Sequence, residues 1–251
     1  MQDRHLPLRI GCVKFLNARP LIHGWRGEVV LDNPSTLCRK LAAGELDVAL
    51  VSSFEYLRNP IYRIIDGIAI ASDGPVHSVV VAHREELSRV DEIQLDPASE
   101  TSVNLLRYLL AERGLNPRLV ARSTTSAQLL IGDKAIRFRQ THPEFEYWDL
   151  GEEWKRIVDL PFVYALWLVR PEVADLKIAD ELRALRDENL RKIDNVISGQ
   201  SEFDPEFCRR YFSDNLRFTF GEREKAGLQK FAQACADLDL ISKRPLEFDL
   251  V

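Results

Sequence analysis

Asn17 closes an apolar run over residues 9–15 that reads as a buried strand. Its side-chain amide can donate to or accept from a ligand but cannot act as a base. Far along the chain, Asp96-Pro97-Ala98-Ser99-Glu100-Thr101-Ser102-Val103 opens a helix rich in hydroxyls. A helix start presents free N–H donors and the positive end of the peptide dipoles, so Ser99, Thr101 and Ser102 suit a small anion such as a carboxylate. Glu100 would repel that ligand and is expected to face solvent. The competing role is an ordinary cap, with Ser99 accepting from the backbone of Ser102. Arg19 can grip a carboxylate in forked geometry, or lie at the surface braced by an acidic side chain. Ser52 and Ser53 follow a second buried run, and either face the same region or cap the next helix. Ser78 lies just past a turn at 72–75. Gly132-Asp133 ends a later strand, with Asp133 serving either a ligand or a helix start. Asn17 also has a local alternative, an Asx turn ahead of Pro20.

A base is harder to find. The five histidines are dispersed without metal-ligand spacing. His77, in the turn before Ser78, can reach toward a cleft. Glu55 lies in the first turn of a helix, where solvent exposure competes with a catalytic role. There is no Gly-rich dinucleotide loop, no Walker-type Gly-Lys-Ser/Thr and no Gly-x-Ser-x-Gly elbow, so no cofactor and no metal are expected.

The elements that must position these residues alternate along the chain. Strand-like runs at 9–15, 29–31 and 47–51 surround a helix over 33–44. Asn33 can cap that helix, Pro34 suits its first position, Leu37 and Leu41 share a face, and Gly44 suits its end. This order predicts a mostly parallel sheet covered by helices. Further strands are expected at 62–71 (broken at Gly67), 78–82, 93–95, 118–121, 129–131, 147–150 and 162–169, with a helix over 99–113. Beyond 170 the pattern turns wholly helical. One amphipathic helix over 178–197 presents Leu182, Leu185, Leu190 and Ile193, Asp204 caps another, and 221–238 forms the last. The fold class is α/β, in two lobes around a cleft. No linker separates them, so the chain must cross within strands. The first lobe is then discontinuous, 1–80 and 170–251, and the second spans 81–169.

With 45% apolar residues among 251, a sizeable core is within reach. A net charge of −5 argues against nucleic acid as a partner, since phosphate contacts demand a basic face. No run approaches the ~18 apolar residues that cross a bilayer, and the start of the chain lacks the pattern of a secretory signal. Four cysteines without Cys-x-x-Cys spacing read as free thiols in a reducing, cytoplasmic setting. Monomer and homodimer both remain open.

Several segments, taken together and in order, carry a resemblance. They are Phe15-Leu16-Asn17 with Arg19-Pro20-Leu21, and 44–49 running into Val51-Ser52-Ser53-Phe54-Glu55-Tyr56-Leu57. They continue with Ser72-Asp73-Gly74-Pro75-Val76 before Ser78, then Ser99, Thr101 and Ser102 leading to Leu105-Leu106. The last are 129–133 ending in Gly132-Asp133, 149–154, and 160–165. The chain thereby resembles the menaquinone-biosynthesis chorismate dehydratase family of the futalosine route. The resemblance implies a type II periplasmic-binding-protein fold and a reaction in which chorismate loses water to give 3-[(1-carboxyvinyl)oxy]benzoate. It implies Asn17 as the catalytic group, with Arg19, Ser52, Ser53, Ser78, Ser99, Thr101, Ser102, Gly132 and Asp133 around the substrate. A substrate carboxylate then serves as the proton acceptor. One departure is the segment 123–129, shorter than in the family, so the second lobe is expected to lack a surface helix. The alternative is a non-catalytic small-anion binding protein or sensor of the same fold.

Overall fold

The computed structural model describes residues 8–122, 127–174 and 176–251. Residues 123–126, within the shortened segment, lie outside the described residues, as does His5. In chain order the first elements are β1 (Ile10–Val13), α1 (Arg19–Ile22), β2 (Val29–Asp32), α2 (Pro34–Ala42), β3 (Val48–Ser52), α3 (Ser53–Arg58) and β4 (Arg63–Ser72). There follow β5 (Val79–His83), β6 (Glu92–Gln94), α4 (Glu100–Glu112), β7 (Arg118–Val120), β8 (Gln128–Ile131), α5 (Gly132–Thr141), β9 (Glu146–Asp149) and α6 (Leu150–Val158). The last are β10 (Phe162–Val169), α7 (Lys177–Arg191), α8 (Ile193–Ser198), α9 (Pro205–Arg210) and α10 (Glu222–Asp237).

Two five-stranded sheets form the frame, in the orders β2-β1-β3-β10-β4 and β7-β6-β8-β5-β9. β1, β3 and β10 are buried along their whole length, as strands covered by helices on both faces must be. The expectation of mostly parallel sheets is corrected. β10 runs antiparallel to both β3 and β4, and β5 antiparallel to both β8 and β9. Each sheet thus has an antiparallel strand among its central members, and a pattern of local runs carries no information about strand direction. Phe162–Val169, placed with the second lobe on sequence, pairs inside the first sheet.

Other elements also differ from expectation. β4 is continuous. Gly67 adopts φ +76 and the register against β10 slips beside it, so it marks a bulge rather than a break. The long helix over 178–197 is two helices that meet at Lys192. Leu190 is exposed, and Asn189 takes the inward position, donating to the carbonyls of Pro20 (3.1 Å) and His23 (2.9 Å). The region past 170 is not wholly helical in its contacts: Arg217 bridges to Ala71, and Leu250 to Ile64, along the free edge of β4. Asn33 occupies the cap position of α2, but its side chain makes no capping bond. Asp204 caps α9 as expected, accepting from Phe207 N.

The chain crosses between the sheets at 72–78 and 159–162. Asp149, at the start of α6, ties the first crossing down. Its carboxylate accepts from Val76 N (3.0 Å), His77 N (2.7 Å), Gly151 N (3.0 Å) and Glu152 N (3.1 Å). Gly151 is required there by close approach. A Cβ would sit 2.7 Å from Gly74 O and from the Tyr164 hydroxyl, closer than real side chains come.

Farther along α6, Glu153 is held by Arg113 (2.6 Å) and Arg156 (2.7 Å). Burial raises its pKa, but the hydrogen bonds from the two guanidiniums outweigh this and bring it from the ordinary 4.5 down to about 2. A folded-state value below the unfolded one contributes stability that is complete above about 4.5 and lost as pH falls through about 2. Glu153→Gln is therefore expected to lower Tm at neutral pH and to flatten the acid limb between those values. Thermal melts with identical acid sensitivity in variant and wild type would contradict this.

Candidate active site

Six of the singled-out residues meet at one cavity between the sheets: Asn17, Ser52, Ser78, Ser99, Ser102 and Gly132. They arrive from the ends of β1, β3 and β8, from the crossing before β5, and from the start of α4. This is where ligand-contacting loops gather in open α/β sheets. Tyr164 of β10 joins them, and Phe15, Val13, Ile70, Val76, Val79 and Ile131 supply apolar wall. The cavity encloses about 40 Å³, room for about one water at ~30 Å³ each. No Lys, Arg, His, Asp or Glu is among its lining residues. Among the described residues, no group of three or more His, Cys, Asp or Glu is placed to hold a metal.

The hydroxyls form a network across the gap. Ser99 caps α4, its Oγ accepting from Ser102 N (3.4 Å) and from Ser102 Oγ (3.3 Å). Ser99 thus makes the cap foreseen as its competing role, and it also lines the cavity. Ser52 Oγ bonds closely to Thr101 Oγ1 and accepts from Thr101 N (3.2 Å). Ser78 Oγ accepts from the buried Tyr211 hydroxyl (2.6 Å). Tyr164 shares a hydrogen bond with Ser72 Oγ (3.2 Å). Burial, then the nearby Asp149 charge, raises the Tyr164 pKa well above its ordinary 10.0, so it stays a neutral phenol and potential donor. The Asn17 amide oxygen is buried and lacks a hydrogen-bond partner. Such an atom is costly unless something donates to it.

Four sequence-predicted residues lie outside this lining. Thr101 is fully buried, and its Oγ1 also accepts from Phe54 N (3.0 Å), so it docks α4 onto the start of α3. Ser53, equally buried, donates to Val163 O (2.7 Å). Arg19 donates to Gly199 O (3.1 Å) and leaves no cation in the cavity. Asp133 accepts from Leu16 N (2.8 Å), linking the start of α5 to the Asn17 loop. The two candidate bases are also removed. Glu55 is buried, not solvent-exposed, and pairs with Arg58 and Asn59 away from the lining. His77 packs against Phe207 and Tyr211, and burial, then Arg139, lowers its pKa to about 4. Glu100 does face outward, paired to Arg58 (2.8 Å). Tyr164 carried no distinctive sequence signal beyond being a lone tyrosine in an apolar strand.

A larger groove of about 750 Å³ lies elsewhere, between 23–27 and α7. Its charged walls include Glu188 and Lys192, which pair with each other (2.9 Å), and it contains none of the converging hydroxyls. The smaller cavity is the candidate site, since its polar lining comes from both sheets.

A menaquinone biosynthesis profile matches residues 8–237. The chain belongs to this menaquinone biosynthesis family. Among its relatives are a chorismate dehydratase of Thermus thermophilus, 31% identical over 91% of this chain and 95% of that one, and a chorismate dehydratase of Campylobacter jejuni, 26% identical over 94% and 95%. Similar solved structures include a protein of Archaeoglobus fulgidus (21% identity, 93% and 98% coverage, TM-score 0.71). The alkanesulfonate-binding protein SsuA of Xanthomonas axonopodis pv. citri is similar as well (17% identity, 95% and 95%, TM-score 0.67). These likenesses establish the periplasmic-binding-protein type of fold. For this family member, no helix among the described residues is long and apolar enough to cross a membrane, and the four cysteines are free and buried.

Ser78→Ala would strand the Tyr211 hydroxyl in the interior. The expected loss is ~1–3 kcal/mol of unfolding free energy, measured by urea denaturation. An unchanged midpoint would show that this hydrogen bond contributes nothing to the crossing.

Proposed function

We propose that this protein is a chorismate dehydratase acting in the futalosine route to menaquinone. The unpartnered amide oxygen of Asn17 carries the reading, set as it is in a neutral, hydroxyl-lined cavity. Chorismate brings a ring hydroxyl that can donate to that oxygen and two carboxylates that accept from hydroxyls and backbone N–H groups. In the reaction the C3–H and C4–O bonds break, a ring double bond forms, and the proton and hydroxyl leave together as water. The ring becomes aromatic, so the chemistry runs downhill and the protein's task is orientation and electrostatic preorganisation.

Asn17 orients the departing hydroxyl. Ser99 and Ser102, at the positive end of α4, hold one carboxylate. Ser52, Ser78 and the neutral Tyr164 hydroxyl define the other polar wall. No carboxylate or imidazole faces the cavity, so a carboxylate of the substrate itself takes the C3 proton. A pocket for a ligand of this size needs roughly 300 Å³ or more, so entry requires the sheets to part. The moving bodies in this reading are the first sheet with the C-terminal helices and the second sheet with α4 to α6, hinged at the two crossings. One chain supplies the whole cavity, and a monomer suffices. Four free buried thiols accord with a cytoplasmic setting.

Purified protein without added metal is expected to convert chorismate to the aromatic enol ether, read by absorbance and mass. Chorismate recovered intact alongside a thermal shift would instead indicate a binding protein. Asn17→Ala is expected to lower kcat by about a hundredfold or more, the scale of removing one preorganised polar contact, with the circular dichroism spectrum unchanged. A near-normal kcat would clear Asn17 of the role.

A further inference from the structure

Asn17 does not hold its own position. It lies on a short 3-10 turn, Leu16–Ala18, whose starting residue has no side-chain cap. Leu16 and Ala18 are buried in their own lobe, and one further tie to the turn comes from the opposite sheet. Leu16 N–H donates to Asp133 Oδ1 (2.8 Å), a contact between residues 117 apart in sequence. Beside it, the Phe15 ring lies flat against Gly132. A Cβ at Gly132 would sit 2.8 Å from that ring, and the residue's φ of +56 is one that side chains resist. Gly132 is in turn fixed by its own N–H, which donates to Ser78 O (2.8 Å). Asp133 is half-buried and does not line the cavity.

We infer that Asp133 is a positioning residue for the reaction: by accepting the Leu16 N–H across the cleft, it makes closure of the two sheets and placement of the Asn17 amide a single event. The inference rests on the dehydratase reading for its kinetic consequence, though not for the contact itself. When the sheets part to admit a ligand, the contact breaks and the 15–17 loop is freed. When they close, the carboxylate recaptures it and Asn17 returns to the cavity. Asp133 also sits in the first turn of α5, where a carboxylate meets the positive helix end. That contribution concerns stability, so a stability measurement alone does not test the inference.

The test compares Asp133→Leu, which has similar bulk but no acceptor, with Asp133→Asn, which keeps one. In the leucine variant, the Leu16 amide is expected to exchange with deuterium markedly faster while the β1 amides stay protected. Its kcat is expected to fall about tenfold or more, the scale of a hydrogen bond to a charged acceptor, with KM within about threefold of wild type. Asp133→Asn is expected to recover most of both losses. Asp133→Ser, whose hydroxyl stops short of Leu16, carries the same expectations should the leucine variant not fold. The inference is overturned by a folded variant lacking the acceptor that keeps Leu16 protected or turns over normally. It is equally overturned if the asparagine variant is as impaired as the leucine one. A wild-type protein inert toward chorismate would sink the dehydratase reading instead, and the exchange measurement would still decide the contact.

Discussion

A carboxylate taken from water into a cavity without a cation is stabilised only by dipoles already aimed at it. In the proposed reading, the lining of the cavity answers that constraint. Every polar group facing the cavity is neutral: hydroxyls of Ser52, Ser78, Ser99, Ser102 and Tyr164, and the amide of Asn17. Neutral donors are weak singly, so they must converge, and the fold brings them together from strand ends, a helix start, the crossing before β5 and β10 itself.

The same constraint explains why so many buried hydroxyls are spent on the frame. Thr101 binds α4 to the start of α3, Ser53 ties α3 to β10, and Ser78 anchors Tyr211. Asp149 gathers four backbone N–H groups at the crossing, two of them from residues 76 and 77. Burial raises its pKa and outweighs the lowering by those backbone donors. These contacts join the elements that form the two walls of the cavity. Removing any one would loosen a geometry that the neutral donors need.

Much of this was legible in the residues. The strand-ending Asn17, the hydroxyl-rich start of α4 and the Ser52 position all follow from where buried runs stop and helices begin. What was not legible has physical causes. Thr101 and Ser53 face partners from distant segments, and local pattern cannot separate a hydroxyl that meets a ligand from one that meets a neighbouring helix. Glu55 sits in a six-residue helix too short to define a buried face. Leu190 was misassigned because Asn189, seven residues on from Leu182, continues the buried stripe of α7 and leaves Leu190 to one side. Strand direction in β5 and β10 depends on long-range pairing, and no local run encodes it. Tyr164 is indistinguishable by type from a core tyrosine until its neighbours are known.

A crystal structure with chorismate or its product bound tests the central claim most directly. The account predicts the ligand between the two sheets, with carboxylate oxygens within hydrogen-bond reach, about 3.2 Å, of the Ser99 and Ser102 hydroxyls, Asn17 on the ring hydroxyl, and no guanidinium or ammonium on either carboxylate. A ligand seated on the outer groove beside α7, or one whose carboxylates are paired with arginine, would contradict it.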